Sequence, residues 1–156
     1  MKIEIVKRDA FQVCGYAVPT TLREYGREGN RAELINNYRT HDPSGELSKL
    51  SDTPDELFAL AWYASPGKVI EYLLGYAVPD GTVAPEGALV KHVAPATYAV
   101  GSFDAGTDIV RIWTEFYYEA GSTAGFQPDL QHDVWFEYYP EGLNGRYQLW
   151  IAVTQK

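Results

Sequence analysis

The chain has 156 residues and a formal charge of −8, from 13 Lys and Arg against 21 Asp and Glu. That length suits one domain with its own core. The acidic balance excludes nucleic acid as a direct partner, because its phosphates demand a basic surface. A single cysteine, Cys14, excludes an intrachain disulfide and fits a cytoplasmic protein, and no apolar run is long enough to span a membrane.

Ile3 and Ile5 alternate with charged residues, so the chain opens as a strand and without a signal-peptide core. Phe11, Val13, Gly15 and Ala17 continue the period of two, giving a strand region over residues 2–18 that Pro19 ends. Asn30 and Glu33 have the spacing of a capping box, with Asn30 as N-cap, and Leu34, Ile35 and Tyr38 follow as a short helical stripe. Residues 57–64 and 69–78 read as two strands of a hairpin, turned by Ser65-Pro66-Gly67. Pro-Asp-Gly and Pro-Glu-Gly within residues 79–87 mark a linker. A strand region then spans residues 89–100, with Pro95 at a bulge or edge. Thr107 or Asp108 caps a helix whose apolar stripe is Ile109, Ile112, Trp113, Phe116 and Tyr117, and Gly121 stops it. Trp113 is assigned to the core on that stripe, and Glu115 to solvent. Residues 134–139 and 146–154 read as the last two strands.

Strand, helix, strand, strand thus occurs twice. Residues 63–78 also line up without a gap with residues 138–153, sharing Tyr63/Tyr138, Tyr72/Tyr147, Leu74/Leu149, Ala77/Ala152 and Val78/Val153. The expectation is an α+β fold: two pseudo-symmetric βαββ repeats, about residues 1–79 and 88–156, forming a mostly antiparallel sheet with two helices. One step further back, the alignment pairs Trp62 with Glu137.

Successive strand residues point to opposite faces. Tyr147, Leu149, Ile151 and Val153 form an apolar set that packs on the helices, which leaves Gln148, Trp150 and Ala152 on the open side. Carried through the alignment, the open face collects Trp62, Trp135, Trp150, Tyr139 and Glu137, with Gly75 emptying one half where Trp150 fills the other. A carboxylate among aromatic rings is the chemistry of a cation site, since an unpaired buried charge costs several kcal/mol. The chain carries 12 Tyr, 6 Phe and 4 Trp, enough large flat surface for such a platform. His41, His92 and His132 lack metal-ligand spacing, and the sequence offers no phosphate loop and no nucleophile elbow. No metal, cofactor or catalytic residue is assigned.

Phe11-Gln12-Val13-Cys14-Gly15-Tyr16, Tyr98-Ala99-Val100, Phe136-Glu137-Tyr138-Tyr139 and the ending Tyr147-Gln148-Leu149-Trp150-Ile151-Ala152-Val153 occur in an order that resembles the GyrI-like (AraC effector-binding) domain family over nearly the whole chain. That family includes the BmrR-type drug-sensing part of transcription regulators and stand-alone cationic-drug-binding modules of mobile gene cassettes. The resemblance implies a groove between the two halves that binds a lipophilic organic cation, with rings stacked on it and Glu137 as countercharge. Two positions depart from the family's last strand: Gln148 stands where a Glu is usual and Ala152 where a Pro is usual, which removes a second pocket carboxylate. Two other functions are compatible with the sequence: a small hydrolase of electrophilic toxins using Glu137 as base, and a protein-interaction module that inhibits a partner such as DNA gyrase. An exposed aromatic face would also serve a homodimer.

Overall fold

The computed structural model describes residues 1–21, 24–25, 28–65 and 69–156, the side chains of 28, 29 and 65 excepted. The turn expected at Ser65-Pro66-Gly67 lies outside the described residues. Nine strands and two α-helices follow in the order β1 (Ile3–Arg8), β2 (Phe11–Thr20), α1 (Glu28–His41), β3 (Leu57–Ser65), β4 (Val69–Ala77), β5 (Leu89–Val93), β6 (Ala96–Phe103), α2 (Ile109–Gly121), β7 (Phe126–Pro128), β8 (Val134–Tyr139) and β9 (Tyr147–Gln155). A short 3-10 turn lies at Ser48–Leu50. The fold is α+β, with one antiparallel sheet in the order β1-β6-β9-β8-β3-β4-β2-β5, and β7 pairing with the end of β9. Outward from the central pair β8 and β3, the order is mirrored: β9 against β4, β6 against β2, β1 against β5.

Several local expectations shift for physical reasons. β2 runs through Pro19 to Thr20. Its partner β5 covers only Phe11 to Gly15, so the far end of β2 is an edge, where a missing N–H is tolerated. Pro95 lies between β5 and β6 rather than inside a strand. α1 begins at Glu28, so Asn30 stands within its first turn and is not the N-cap. Asp108 does cap α2, its carboxylate accepting from the amides of Val110 at 3.1 Å and Arg111 at 3.3 Å. Ile112, Trp113, Phe116 and Ala120 are the buried stripe of α2. Tyr117, expected on it, is half exposed. β7 was not expected from the sequence.

The two faces of the sheet are covered differently. Leu34 of α1 and Ile112, Trp113 and Phe116 of α2 pack on one face with Tyr72, Leu74, Leu149 and Ile151. The other face carries Phe58, Leu60, Trp62, Leu73, Tyr98, Phe136 and Trp150, with no described helical residue among them. It is buried because the sheet curls on itself. β1 lies at one end of the strand order and β2 next to the other end, yet residues 9–10 alone join them. Two residues reach only about 7 Å, so the ends must approach. Residues 94–95 impose the same closure on β5 and β6. Rings fill the inside of the curl: Phe11 lies 5.5 Å from both Phe58 and Phe136, and Phe136 stacks on Trp150 at 5.2 Å. The guanidinium of Arg8 sits 4.1 Å from the centre of the Phe11 ring.

Gly15 and Gly75 are directly opposed in the β2–β4 pair. A Cβ on Gly75 would fall 2.0 Å from the Cys14 carbonyl oxygen, and one on Gly15 2.2 Å from that of Leu74. The obstacles are backbone atoms, which cannot rotate away. Gly75→Ala is therefore expected to cost about 3 kcal/mol, the upper range for overpacking. Urea unfolding would show a lowered midpoint at unchanged slope. A midpoint matching the parent would mean that the close approach is not needed.

Candidate functional site

Glu137 lies on β8, in the middle of the sheet and on its helix-covered face, 1% exposed. The neighbouring strand β3 presents Ala59 and Ala61 on that face. Their small side chains leave room for Tyr72 of β4 to reach across. Four donors converge on the carboxylate. Oε1 accepts from Nη1 of Arg31 at 2.8 Å and from the hydroxyl of Tyr139. Oε2 accepts from the hydroxyl of Tyr72 at 2.9 Å and from Nε1 of Trp113 at 3.0 Å. They come from α1, β8, β4 and α2, so both helices are tied to one charge.

The electrostatics are self-consistent. Burial, and then the charge of Glu137, push the hydroxyls of Tyr25, Tyr72 and Tyr139 well above the usual tyrosine range, so all three stay neutral and able to donate. Burial is the largest influence on Arg31 and opposes its charge, but Glu137 together with Tyr139 and Tyr72 outweighs it and holds the guanidinium above its ordinary value. Arg31 is 17% exposed at its side chain and lies over the Tyr139 ring, 5.1 Å from the ring centre. Glu137 thus already has a cation, one that belongs to the chain.

A cleft of about 600 Å³ opens beside this network. Its walls are Trp113, Tyr117 and Tyr118 of α2, with Trp135, Ile151, Tyr25 and Tyr63 opposite and Asp129, Leu130 and Asp133 around it. Trp135 meets Tyr25 edge-on at 5.5 Å and Tyr63 at 5.5 Å. Tyr25 also packs against Tyr72 at 5.2 Å, and its hydroxyl is buried. Trp113 and Tyr25 therefore separate the cleft from Glu137. A smaller cavity of about 360 Å³ is lined by Arg31, Tyr139, Tyr147 and Thr107. Asp133 is ion-paired with Lys91 at 3.8 Å.

Of the residues expected to share a face with Glu137, the structure brings Trp135 and Tyr139 to it and places the others elsewhere. Glu137 opposes Leu149, while Phe136 opposes Trp150; opposed residues share a face. Trp62 opposes Val134, on the side of Trp150. Trp62 and Trp150 are therefore inside the curl, 8% and 7% exposed. Gln148 is on their side and accepts from Nε1 of Trp150 at 3.0 Å. Gly75 lies in the close approach to Gly15.

The cause is a slip of three residues in the internal alignment: Leu74 and Leu149 are matched, yet Leu74 opposes Ala59 and Leu149 opposes Glu137, so the counterpart of Glu137 is Ala59 rather than Trp62. Tyr72 and Tyr147 do share the helix face, but Tyr63 lines the cleft whereas Tyr138 packs into the curl. The β8–β9 connection, residues 140–146, is longer than residues 66–68 between β3 and β4, so no gap-free match covers both hairpins. A slip by an odd number of residues flips every side chain to the other face. Arg31, Tyr72, Trp113 and Tyr25 were not expected in the site. Trp113 gave a signal: an indole N–H on a buried stripe needs an acceptor. Glu137 gave another, because a carboxylate inside a sheet calls first for a cation from its own chain, though it does not say which one.

Residues 4–153 match the family model of the Cass2 integron-associated effector binding protein, and the chain belongs to that family. No curated protein sequence matches it. Among solved structures, an integron cassette protein from the mobile metagenome of Vibrio cholerae superposes with a TM-score of 0.67 at 18% identity, over 97% of this chain and 95% of that one. SAV2435, solved bound to tetraphenylphosphonium, gives 0.67 at 15% identity, over 99% and 94%. The C-terminal domain of EcmrR gives 0.67 at 10% identity, over 99% and 98%. At these identities the likeness is one of fold.

Removing the chain's own cation tests the network. Arg31→Met leaves Glu137 buried with neutral donors only, and is expected to lose about 3–5 kcal/mol in urea unfolding. Adding Glu137→Gln should recover a large part of that loss, because the paired substitution no longer strands a charge. A loss below about 1 kcal/mol for the single variant would place the pair with surface salt bridges.

Proposed function

We propose that this chain is a small-molecule binding module for lipophilic aromatic compounds, cationic ones foremost, held in the cleft between α2 and the sheet. It acts as a single effector-binding domain of two repeats, about residues 1–79 and 88–156. The observation that carries this reading is the cleft itself. At about 600 Å³ it falls within the usual range for ligand pockets, and aromatic rings dominate its walls. Trp113 and Tyr25 separate it from a buried carboxylate, Asp129 lies at its rim, and the chain's net charge of −8 favours cations over anions. The tetraphenylphosphonium-bound neighbour of the same fold supports the choice of ligand class.

A binding role is favoured over a hydrolytic one by the state of Glu137. Both oxygens are taken by four donors, one of them a guanidinium, whereas a general base needs a free lone pair against water. The cleft favours a small molecule over a protein partner. Trp135, Tyr139 and Glu137 are retained from the sequence-based site, with Trp113, Tyr25 and Tyr63 added. A cytoplasmic setting suits this role; among the described residues, no helix is long and apolar enough to cross a membrane.

Titration with tetraphenylphosphonium is expected to quench tryptophan fluorescence saturably at micromolar concentration, because Trp113 and Trp135 line the cleft. Trp135→Leu should weaken binding by about 0.5–2 kcal/mol, the range for one ring on a desolvated cation. Trp62→Phe, inside the curl, should leave it as in the parent. Absence of saturable quenching, or equal weakening by both variants, would sink the cleft as the binding site.

A further inference from the structure

Glu137 meets a cation over an aromatic face even without a ligand. The guanidinium of Arg31 is 2.8 Å from its Oε1 and 5.1 Å from the centre of the Tyr139 ring. Carboxylate on one side and ring on the other is the environment in which a lipophilic cation would be held. While Arg31 stays, that environment is electrically complete, and an incoming cation gains little from Glu137. It would instead meet the guanidinium behind Trp113 and Tyr25, and the like charges would repel.

We propose that Arg31 is a resident counter-ion that sets the cation selectivity of the site, and that an organic cation, passing Tyr25 from the cleft, takes its place on Glu137. This rests on the binding role proposed above and adds how that site chooses among ligands. Three features of the geometry support displacement. Arg31 is the only one of the four partners of the carboxylate that carries charge, so it alone competes with a cation; Tyr72, Tyr139 and Trp113 remain as neutral donors to hold Glu137 in place. Arg31 also lines the smaller cavity of about 360 Å³, on whose side its head group has room to withdraw. Finally, Arg31 is carried by α1, whereas the cleft is walled by α2. Exchange of one cation for the other therefore frees α1 from the charge at the centre of the sheet and gives occupancy of the cleft a readout at the opposite helix.

Selectivity is a difference of affinities, so two probes are needed: tetraphenylphosphonium and triphenylphosphine oxide, a neutral compound with similar rings. Arg31→Gln keeps an amide donor near Glu137 but no charge. Fluorescence titration of the parent and of Arg31→Gln gives the ratio of cation to neutral affinity for each. The expected result is a ratio at least about tenfold higher in the variant, since Glu137 then faces the cation uncompensated. Hydrogen exchange on the parent is the second measurement. Tetraphenylphosphonium, but not the oxide, should speed exchange of amides in α1, because release from Glu137 removes an anchor. If Arg31→Gln does not fold, the exchange result decides alone. Binding of both probes with an unchanged or lower ratio, or with α1 exchange unaltered by the cation, would overturn displacement and leave the cleft standing. Failure of both probes to bind parent and variant would remove the binding role and this inference with it.

Discussion

The charge of Glu137 is the constraint around which both helices are placed. A lone carboxylate inside a sheet costs several kcal/mol, and the cost is offset only by a cation and a full set of donors. Here the cation comes from α1 and an indole donor from α2, while tyrosines of β4 and β8 complete the shell. Hydrophobic packing would hold each helix somewhere on the sheet, because apolar burial is non-directional. The hydrogen bonds to one carboxylate specify where. They also explain Ala59 and Ala61 on β3: any larger side chain there would fill the space in which Tyr72 meets Glu137.

The same sheet manages two interiors. One is closed by the two short connections at residues 9–10 and 94–95, which curl the sheet until Phe11, Phe58, Phe136 and Trp150 fill the inside. The other lies under the helices and is not filled, since α2 stands off far enough to leave a cleft of about 600 Å³. High aromatic content thus serves two unlike ends. Inside the curl the rings are structural, and along the cleft they are left facing space. A protein of this size can keep an unfilled cleft beside a buried charge because the curl supplies a second dry core that needs no helix.

Much of this was legible from the residues. Period-two runs gave six strand regions, with β1 and β2 read as one and β5 and β6 as another, the Ile112–Phe116 stripe gave α2, and the doubled order of elements gave the antiparallel α+β plan. Glu137 stood out because a carboxylate between Phe136 and Tyr138 has no business in a strand unless something pairs it. The faces were harder. Parity within one strand is secure, but carrying it from β3 to β8 required a register, and the longer second connection shifted that register by three. Glu137, Trp135 and Tyr139 were assigned to the wrong side of the sheet for that reason, while Trp62 and Trp150 lie on the side away from the helices, where they were expected. Arg31 was hidden for a different reason. Its partner lies 106 positions away along the chain, and local pattern carries no information about such a contact. Beside Asn30 it resembled the start of a helix, and its long side chain gave no sign of reaching into the sheet.

The pairing of Arg31 with Glu137 changes what an acidic groove means in this fold. A free buried carboxylate would attract any cation that could reach it, and the strength of binding would follow the ligand's charge. A carboxylate already matched by its own chain attracts only what binds it better than a guanidinium does. Small hydrated cations are poor competitors, because they give up water that Arg31, already desolvated, does not have to lose. A bulky cation with aromatic groups gains from Trp113, Trp135, Tyr25 and Tyr63 before it meets Glu137 at all, and that gain is what can tip the exchange. Under the proposed exchange, shape and ring surface decide which compounds reach the charge, and the charge decides which of those remain. Position 148 on β9 opposes Tyr138 and faces the other interior, where Gln148 holds Trp150 in place, so a carboxylate there would not reach Glu137.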